Sequence, residues 1–139
     1  MTRIAVVIDN HNLLGDAMAM AKKYGFDDPV DAFSETMIDQ RMELIMEEYA
    51  ELCKAREDHN AEEFVDALVD LMVVTAGTMI QLGIDPVKAW DEVHRANMSK
   101  IRGPNPSRPD RGDNDLYKPE GWVGPCHEDN HGRLVFIWG

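Results

Sequence analysis

The chain is short of cysteine, of basic side chains and of long apolar runs, and each shortage excludes a class of protein. Two cysteines among 139 residues cannot form a disulfide framework, so a cytoplasmic location is expected. Fourteen lysines and arginines against 26 acids give a net charge of −12, which argues against a nucleic-acid-binding surface. No apolar stretch approaches the roughly 20 residues that cross a bilayer, and the N-terminus lacks a cleavage site, so neither a membrane protein nor a signal peptide is expected.

Proline and glycine are scarce in the first 100 residues and common afterwards. Five of the seven prolines and six of the ten glycines lie beyond residue 100. This shift predicts a helical core over residues 1–100 and an extended C-terminal arm over residues 101–139. Gly103–Asp115 is polar and turn-rich, which predicts an extended or mobile segment. Leu134–Trp138 is too apolar to stay free in water and is predicted to form a strand or to pack on a partner.

Four helices are predicted in the core, because apolar residues recur at spacings of three and four between capping residues. They cover residues 11–24, 31–58, 61–82 and 86–98. Before them, Ile4–Ile8 is equally consistent with a short strand and with a lead into the first helix. The third helix is apolar on almost every face after Leu68, which predicts a central position or a subunit contact. The expected fold is all-α and resembles a four-helix bundle, as a homodimer or a dimer of dimers.

Asp70 lies in the middle of the apolar run Ala67–Val74. A lone carboxylate there would be desolvated at a cost of several kcal/mol, and a bound cation is the most economical compensation. Asp66 lies one helical turn before Asp70, and Glu63 lies about one turn before Asp66. Like charges at this spacing destabilise a helix, so the pattern favours a cation between them.

The second predicted helix carries another group of acids. At about 100° per residue these acids span a sector of roughly 140°. They are Glu43, Glu47, Glu48 and Glu51. If the second and third helices pack antiparallel across their short turn, the two acidic faces converge. Converging carboxylates are ligands that Mg²⁺ or Mn²⁺ prefers.

These residues resemble a known family. Glu47–Glu51 matches the EExxE element of the all-α nucleoside triphosphate pyrophosphohydrolases, the MazG-like and phosphoribosyl-ATP-pyrophosphohydrolase-like group. The context of Asp70 resembles the final Asp of the family's ExxD element, although the usual Glu then falls at Ala67. Glu63–Asp66 satisfies ExxD literally. Val93–Lys100 resembles the end of the family's fourth helix, where Asn and Lys contact substrate.

The resemblance implies hydrolysis of a (deoxy)nucleoside triphosphate to the monophosphate and pyrophosphate. Metal ligation is carried over to Glu48, Glu51, Asp66 and Asp70, and the role of Glu63 stays open. Glu47 is the candidate base that orients or deprotonates the attacking water. Candidate substrate contacts are Arg95, Asn97, Lys100 and Lys118.

Two alternatives remain at this stage. Phosphoribosyl-ATP hydrolysis uses the same chemistry on another substrate, and a non-catalytic helical binding module would use the acids only for solubility. Trp122 either covers a nucleotide base or packs the arm onto the body. Cys126, His127 and His131 offer three metal-binding side chains in one loop, but a zinc site needs a fourth ligand from elsewhere.

Overall fold

The computed structural model describes Val6, residues 11–27 and residues 34–139. Four long helices dominate these residues: α1 (Leu13–Tyr24), α2 (Glu35–Glu57), α3 (Ala61–Gln81) and α4 (Pro86–Met98). The shorter elements are β1 (Ile101–Arg102), a 3-10 helix (Pro109–Asn114), β2 (Leu116–Tyr117) and α5 (Leu134–Trp138). The predicted all-α class with an irregular arm is confirmed. The segment Ile4–Ile8, apart from Val6, lies outside the described residues.

Side-chain caps fix the starts of α3 and α4 where the sequence predicts them. The Asn60 side chain accepts a hydrogen bond from the Glu63 amide at 3.1 Å. The Asp85 carboxylate accepts one from the Val87 amide at 3.0 Å, and Pro86 occupies the first helical position. Each cap satisfies amides that the first helical turn leaves without a partner.

The second helix differs from its predicted range at its beginning. The described helix starts at Glu35, and the Ser34 hydroxyl caps it by accepting a hydrogen bond from the Met37 amide at 3.4 Å. Residues 31–33, which the sequence places in this helix, lie outside the described residues. At the other end α2 stops at Glu57, one residue before the predicted boundary.

Helices α2 and α3 form an antiparallel pair that is joined by the turn at residues 58–60. Arg41 sets their register: its guanidinium donates to the Thr78 hydroxyl and to the Val74 carbonyl, both at 3.0 Å. Gly77 makes room for this contact, because a Cβ there would lie 3.1 Å from Arg41 Nη2. The register therefore depends on one partly buried polar side chain and one missing methyl group.

The core of the single chain is thin and consists mainly of small side chains. Ala55, Ala67 and Ala96 are the most buried apolar residues, at 1–3% exposure, and Ile80 and Leu82 are the only large buried ones described. Alanines at helix contacts allow the backbones to approach closely. Helix α1 packs on α3, whereas α4 leaves α3 at a bend of 119°. No single described helix is long and apolar enough to cross a membrane; the bent α3–α4 pair passes that test only by combined length and composition.

The segment Gly103–Asp115, predicted to be extended or mobile, instead has defined structure. Strands β1 and β2 pair antiparallel on either side of it, with Ile101 opposite Tyr117. Between them Arg108 forms an ion pair with the buried carboxylate of Asp115 at 2.9 Å. The correction has a physical reason: the pairing joins residues about 16 apart, which local turn composition does not reveal.

The arm returns along α4 and contacts it at both ends. Near the C-terminal end the Trp122 indole donates to the Ala96 carbonyl at 3.0 Å. At the N-terminal end Asn130 and Asp85 exchange two hydrogen bonds, at 2.8 and 2.9 Å. Trp122 therefore packs the arm onto the helical body, which was one of its two predicted roles.

The last five apolar residues, predicted to form a strand or to pack on a partner, form a short helix, α5, and not a strand. Its Trp138 indole donates to the Glu35 carboxylate at 2.9 Å, which connects the end of the arm to the start of α2. Just before α5, Gly132 has a φ of +55° and lies against the α3–α4 turn. A Cβ at this position would overlap the Leu82 carbonyl oxygen and approach the Gly83 carbonyl carbon to 2.7 Å.

Candidate metal centre

Three carboxylates from α2 and α3 converge at one place between the two helices. One oxygen each of Glu48, Glu51 and Asp70 lies within 4.8 Å of the other two. Glu48 and Glu51 are three residues apart and so share a face of α2, while Asp70 faces them from α3. Within the described part of the chain this is the one group of acidic, histidine or cysteine side chains with metal-ligand spacing.

The register contact described above places these groups opposite one another. Arg41 lies two helical turns before Glu48 on the same face of α2, and its partner Thr78 lies about two turns after Asp70 on α3. Because the helices run antiparallel, fixing Arg41 against Thr78 brings Glu48 level with Asp70. A slip of one residue would move the carboxylates about 1.5 Å along the helix axis.

Glu48 is strained electrostatically. Partial burial raises the pKa of its carboxyl above the ordinary value of 4.5, and the charges of Glu51, Asp70 and Glu47 raise it further. Its Oε2 atom is buried and has no hydrogen-bond partner among the described residues. A buried carboxylate oxygen that has no hydrogen-bond partner and is surrounded by other carboxylates needs a positive charge nearby to compensate it.

Asp70 has the same character on the facing helix. Partial burial raises the pKa of its carboxyl above the ordinary value of 3.8; the charge of Asp66, a hydrogen bond with Asp66 and the charge of Glu51 add to that effect. Asp66 thus lies against Asp70 at the edge of the cluster. The exposed Asp66 side chain extends the acidic surface toward solvent.

No basic side chain compensates this charge in the described residues. None of their lysines, arginines or histidines forms an ion pair with Glu48, Glu51, Asp66 or Asp70. The donor set consists only of carboxylate oxygens, which suits a hard divalent ion such as Mg²⁺ or Mn²⁺. The unpartnered Glu48 oxygen is consistent with such a ligand, so the residues fit a divalent metal.

The other predicted acids take different positions. Glu47 is exposed beside Glu48 and contributes to the negative potential there. Glu43 and Glu63 are exposed and do not belong to the three-carboxylate group. The three-carboxylate group therefore consists of Asp70 and of the second and third acids of the EExxE element, Glu48 and Glu51.

The predicted substrate contacts lie at the end of α4 and in the arm. Arg95 donates to the Glu92 carboxylate at 3.2 Å and to the Gly124 carbonyl at 3.0 Å, so it is engaged in holding the arm. Asn97 is exposed. Lys100 and Lys118 both lie over the Trp122 ring, with Nζ atoms 5.7 and 4.8 Å from its centroid.

Sequence reasoning missed the register residue Arg41. A usable signal was present, since Arg41 interrupts the apolar stripe formed by Ile38 and Ile45. A charged residue in such a stripe faces a neighbouring helix and needs acceptors there. The loop with Cys126, His127 and His131 forms no group with metal-ligand spacing within the described chain.

The fold and the cluster define an all-α protein with a carboxylate-rich centre between two antiparallel helices. Residues 19–97 match the phosphoribosyl-ATP pyrophosphohydrolase family, so the chain belongs to that family, within the MazG-like superfamily. The search of curated proteins found no match. Family membership confirms the predicted resemblance and points to a pyrophosphohydrolase, a hydrolase of acid anhydrides, acting on a nucleotide-like substrate.

Proposed function

We propose that this protein hydrolyses a (deoxy)nucleoside triphosphate to the monophosphate and pyrophosphate, with Mg²⁺ or Mn²⁺ as cofactor. The observation that supports this most strongly is the convergence of Glu48, Glu51 and Asp70 within 4.8 Å, inside the segment that matches the family. Glu48, Glu51, Asp66 and Asp70 would hold the metal. A bound divalent ion would neutralise polyphosphate charge and stabilise the charge that develops in an in-line displacement.

Glu47 is the proposed general base. It is exposed next to the cluster, so water can reach it, and a carboxylate can accept a proton from that water or orient it. Glu48, its neighbour in sequence, faces the cluster instead. Adjacent residues thus divide the two roles, because neighbouring positions on a helix differ by about 100° in direction.

The proposed contacts to the nucleotide lie at the α4 end of the arm. Lys100 and Lys118 present two ammonium groups to solvent-accessible space beside Trp122, and Asn97 is exposed on the preceding turn. The protein is strongly acidic overall, so these cations supply local attraction for an anionic substrate. Arg95 acts there through its hold on the arm.

The decisive assay measures pyrophosphate release from a panel of ribo- and deoxyribonucleoside triphosphates with Mg²⁺, with Mn²⁺ and with EDTA. We expect release from at least one triphosphate only when a divalent ion is present. Phosphoribosyl-ATP belongs in the same panel, because the matched family carries its name. If phosphoribosyl-ATP alone is cleaved, phosphoribosyl-ATP hydrolysis replaces nucleoside triphosphate hydrolysis as the proposed function.

A non-catalytic binding module makes different predictions for the same samples. It would release no pyrophosphate from any substrate, and Mg²⁺ would leave its thermal unfolding unchanged. Under our proposal Mg²⁺ at about 100 times its dissociation constant adds roughly 2.7 kcal/mol to the free energy of unfolding. Differential scanning calorimetry with and without EDTA therefore separates the two.

We also propose that the protein works as a homodimer or as a dimer of dimers. The α3 residues Val65, Val69 and Met72, spaced by three or four, keep 50–61% of their surface exposed. Met46 and Tyr49 on α2 are exposed to a similar extent, at 67% and 60%. Such stripes on a helix need cover, and a second copy with the same stripes can supply it.

Sedimentation velocity tests the assembly directly. We expect the native chain to sediment as a dimer or tetramer and Val69→Glu to shift it to the monomer. Glu62→Gln, an exposed change near the start of the same helix, is the matched control and should leave the assembly unchanged. A native chain that sediments as a monomer at micromolar concentration would refute the assembly.

A further inference from the structure

A closed set of hydrogen bonds joins α2 to α3. Arg41 Nε donates to the Thr78 hydroxyl and Arg41 Nη2 donates to the Val74 carbonyl, both at 3.0 Å. The Thr78 hydroxyl donates in turn to the same carbonyl at 2.7 Å. We call these three groups the Arg41 clamp. Within the described residues, the clamp provides all the side-chain hydrogen bonds between the two helices, so it fixes how far one helix is shifted along the other.

The clamp lies beyond the reach of the three-carboxylate group. Arg41 precedes Glu48 by seven residues, and Thr78 follows Asp70 by eight, which corresponds to about 10–12 Å along each helix axis. No side chain of the clamp can therefore contact an ion that the carboxylates hold. Any effect of Arg41 on that ion must pass through the positions of the two helices.

The carboxylates lie between two restrained levels of the helix pair. On one side the turn at residues 58–60 joins the helices, and Ala55 and Ala67 close to that turn are almost fully buried. On the other side the helices are joined by the clamp. Between these levels three carboxylates lie within 4.8 Å of one another and repel. Without the clamp only apolar packing would oppose this repulsion on the side away from the turn.

The clamp acts through its geometry and not through its charge. Both acceptors are neutral groups, and no carboxylate forms an ion pair with Arg41 within the described residues. A lysine ammonium would keep the charge, but its single nitrogen cannot reproduce the planar, two-nitrogen contact of a guanidinium. The space is also closely fitted, since a Cβ on Gly77 would lie 3.1 Å from Arg41 Nη2.

We propose that Arg41 is a positioning residue for the metal centre, which holds the three carboxylates at chelating distance before a divalent ion binds. Ligands that are already in place bind an ion more tightly, because the ion does not have to bring them together against their repulsion. The inference rests on the proposed function, since it concerns the divalent ion of the proposed hydrolysis. It predicts that losing Arg41 weakens metal binding although Arg41 is not a ligand.

The experiment measures Mn²⁺ binding to the full chain without nucleotide, by electron paramagnetic resonance and by isothermal titration. Arg41→Met and Arg41→Lys should each weaken Mn²⁺ binding at least about tenfold, as loss of a group that orients metal ligands does. Thr78→Val removes one hydrogen-bond acceptor and should weaken binding about threefold or more. Thr78→Ser keeps the hydroxyl and should bind Mn²⁺ as the native chain does. Circular dichroism confirms that each variant folds.

The sign of the effect separates positioning from charge. Removing a positive side chain near an acidic site strengthens the binding of a cation if charge alone matters. A weaker affinity in Arg41→Met therefore identifies a positional role. Arg56→Gln removes an exposed positive charge from the same helix and should not weaken Mn²⁺ binding.

A second control separates positioning from general stability. Ile80 is buried on α3 but lies outside the clamp. Ile80→Val removes a buried methyl group and lowers the stability of the fold without changing the clamp. Its Mn²⁺ affinity should equal that of the native chain, whereas urea unfolding in EDTA should show the loss of stability.

Three results would overturn the proposal by themselves. They are native Mn²⁺ affinity in Arg41→Met or Arg41→Lys, equal affinity of Thr78→Val and Thr78→Ser, and a loss of affinity in Ile80→Val as large as that in Arg41→Met. A native chain that binds no Mn²⁺ would refute the metal centre and this proposal with it. Mn²⁺ binding that depends on Arg41, without pyrophosphate release from any substrate, would refute the hydrolysis and support the positioning role.

Discussion

The α2–α3 pair and the C-terminal arm carry unpaired charges of opposite sign. On the helices three carboxylates lie within 4.8 Å of one another and no basic group neutralises them among the described residues. In the arm two ammonium groups share one indole ring and no described carboxylate pairs with either. Each region concentrates one sign of charge that a ligand of the other sign would relieve.

The two regions reach this state by different physical means. The acidic centre is built by helical spacing and by one register contact, so it is largely encoded in local sequence. The lysine pair over Trp122 forms only when the strands of the arm pair with each other and the arm attaches to α4. We therefore expect substitutions in the core to disturb the acidic centre by shifting the register of α2 and α3. Substitutions in the arm should instead disturb the lysine pair by loosening the attachment of the arm to α4.

The largest expected effect comes from removing a cluster carboxylate. Asp70→Asn or Glu48→Gln should lower pyrophosphate release by about 100-fold or more, because each change removes a ligand to the metal and a negative charge. Far-ultraviolet circular dichroism should be unchanged. Glu43→Gln, on the same helix but outside the cluster, is the control and should keep nearly full activity. Equal loss in all three variants would contradict a localised centre.

A second change tests the arm alone. Gly132→Ala should destabilise the arm by about 1–3 kcal/mol, because the new Cβ would overlap the Leu82 carbonyl oxygen and the residue already has a positive φ. Hydrogen exchange should show faster opening of residues around Asn130. The Mg²⁺ stabilisation of α2 and α3 should persist. Loss of that stabilisation would show that the two regions are not independent.

The pH dependence of the free energy of unfolding should distinguish Glu48 and Asp70 from the other carboxylates whose pKa values are shifted. Because the pKa values of Glu48 and Asp70 are raised on folding, the folded chain keeps these protons longer than the unfolded chain. Without metal, their contribution to the free energy of unfolding must therefore fall as the pH rises above about 4. Glu92 and Asp129, whose pKa values are lowered, contribute in the opposite direction.

The measurement is therefore a comparison of two proteins in EDTA. Urea unfolding of the native chain and of the variant with Glu48→Gln and Asp70→Asn is followed from pH 3.5 to pH 8. We expect the variant to gain stability relative to the native chain as the pH rises. A gap that stays constant with pH would mean that the carboxylates do not repel one another in the folded chain.

The smallest effect is expected at a surface contact between the arm and α4. Lys88 and Asp129 form an ion pair at 2.6 Å, but the two side chains are 48% and 68% exposed. Exposed pairs contribute little, so Lys88→Gln should cost no more than about 1 kcal/mol. Thermal unfolding in low and high salt measures it. A larger, salt-insensitive loss would reveal a further role for Lys88.

Much of the helical core could be predicted from the sequence because its signals are local. Asn60 and Asp85 are side-chain caps followed by apolar periodicity, and both cap helices where predicted. Asp70 was identifiable because a carboxylate in an apolar run requires compensation. Its pairing with Glu48 and Glu51 follows once two helices joined by a short turn are assumed to be antiparallel.

The arm could not be predicted in the same way. The pairing of Ile101 with Tyr117 and the contact between Trp138 and Glu35 join residues far apart in the sequence. Turn-rich composition suits both a disordered segment and a folded one, and long-range contacts decide between them. Likewise, five apolar residues at 134–138 are too few for periodicity to distinguish a strand from the helix that forms.

The double attachment of the arm to α4 has a consequence for how the protein opens. Because Trp122 is hydrogen-bonded to one end of this helix and Asn130 to the other, neither end can fray without breaking a hydrogen bond to the arm. Helix α4 and the arm should therefore open as one cooperative foldon, apart from the α2–α3 pair. A protease that cleaves the arm between these two contacts would loosen the whole foldon at once.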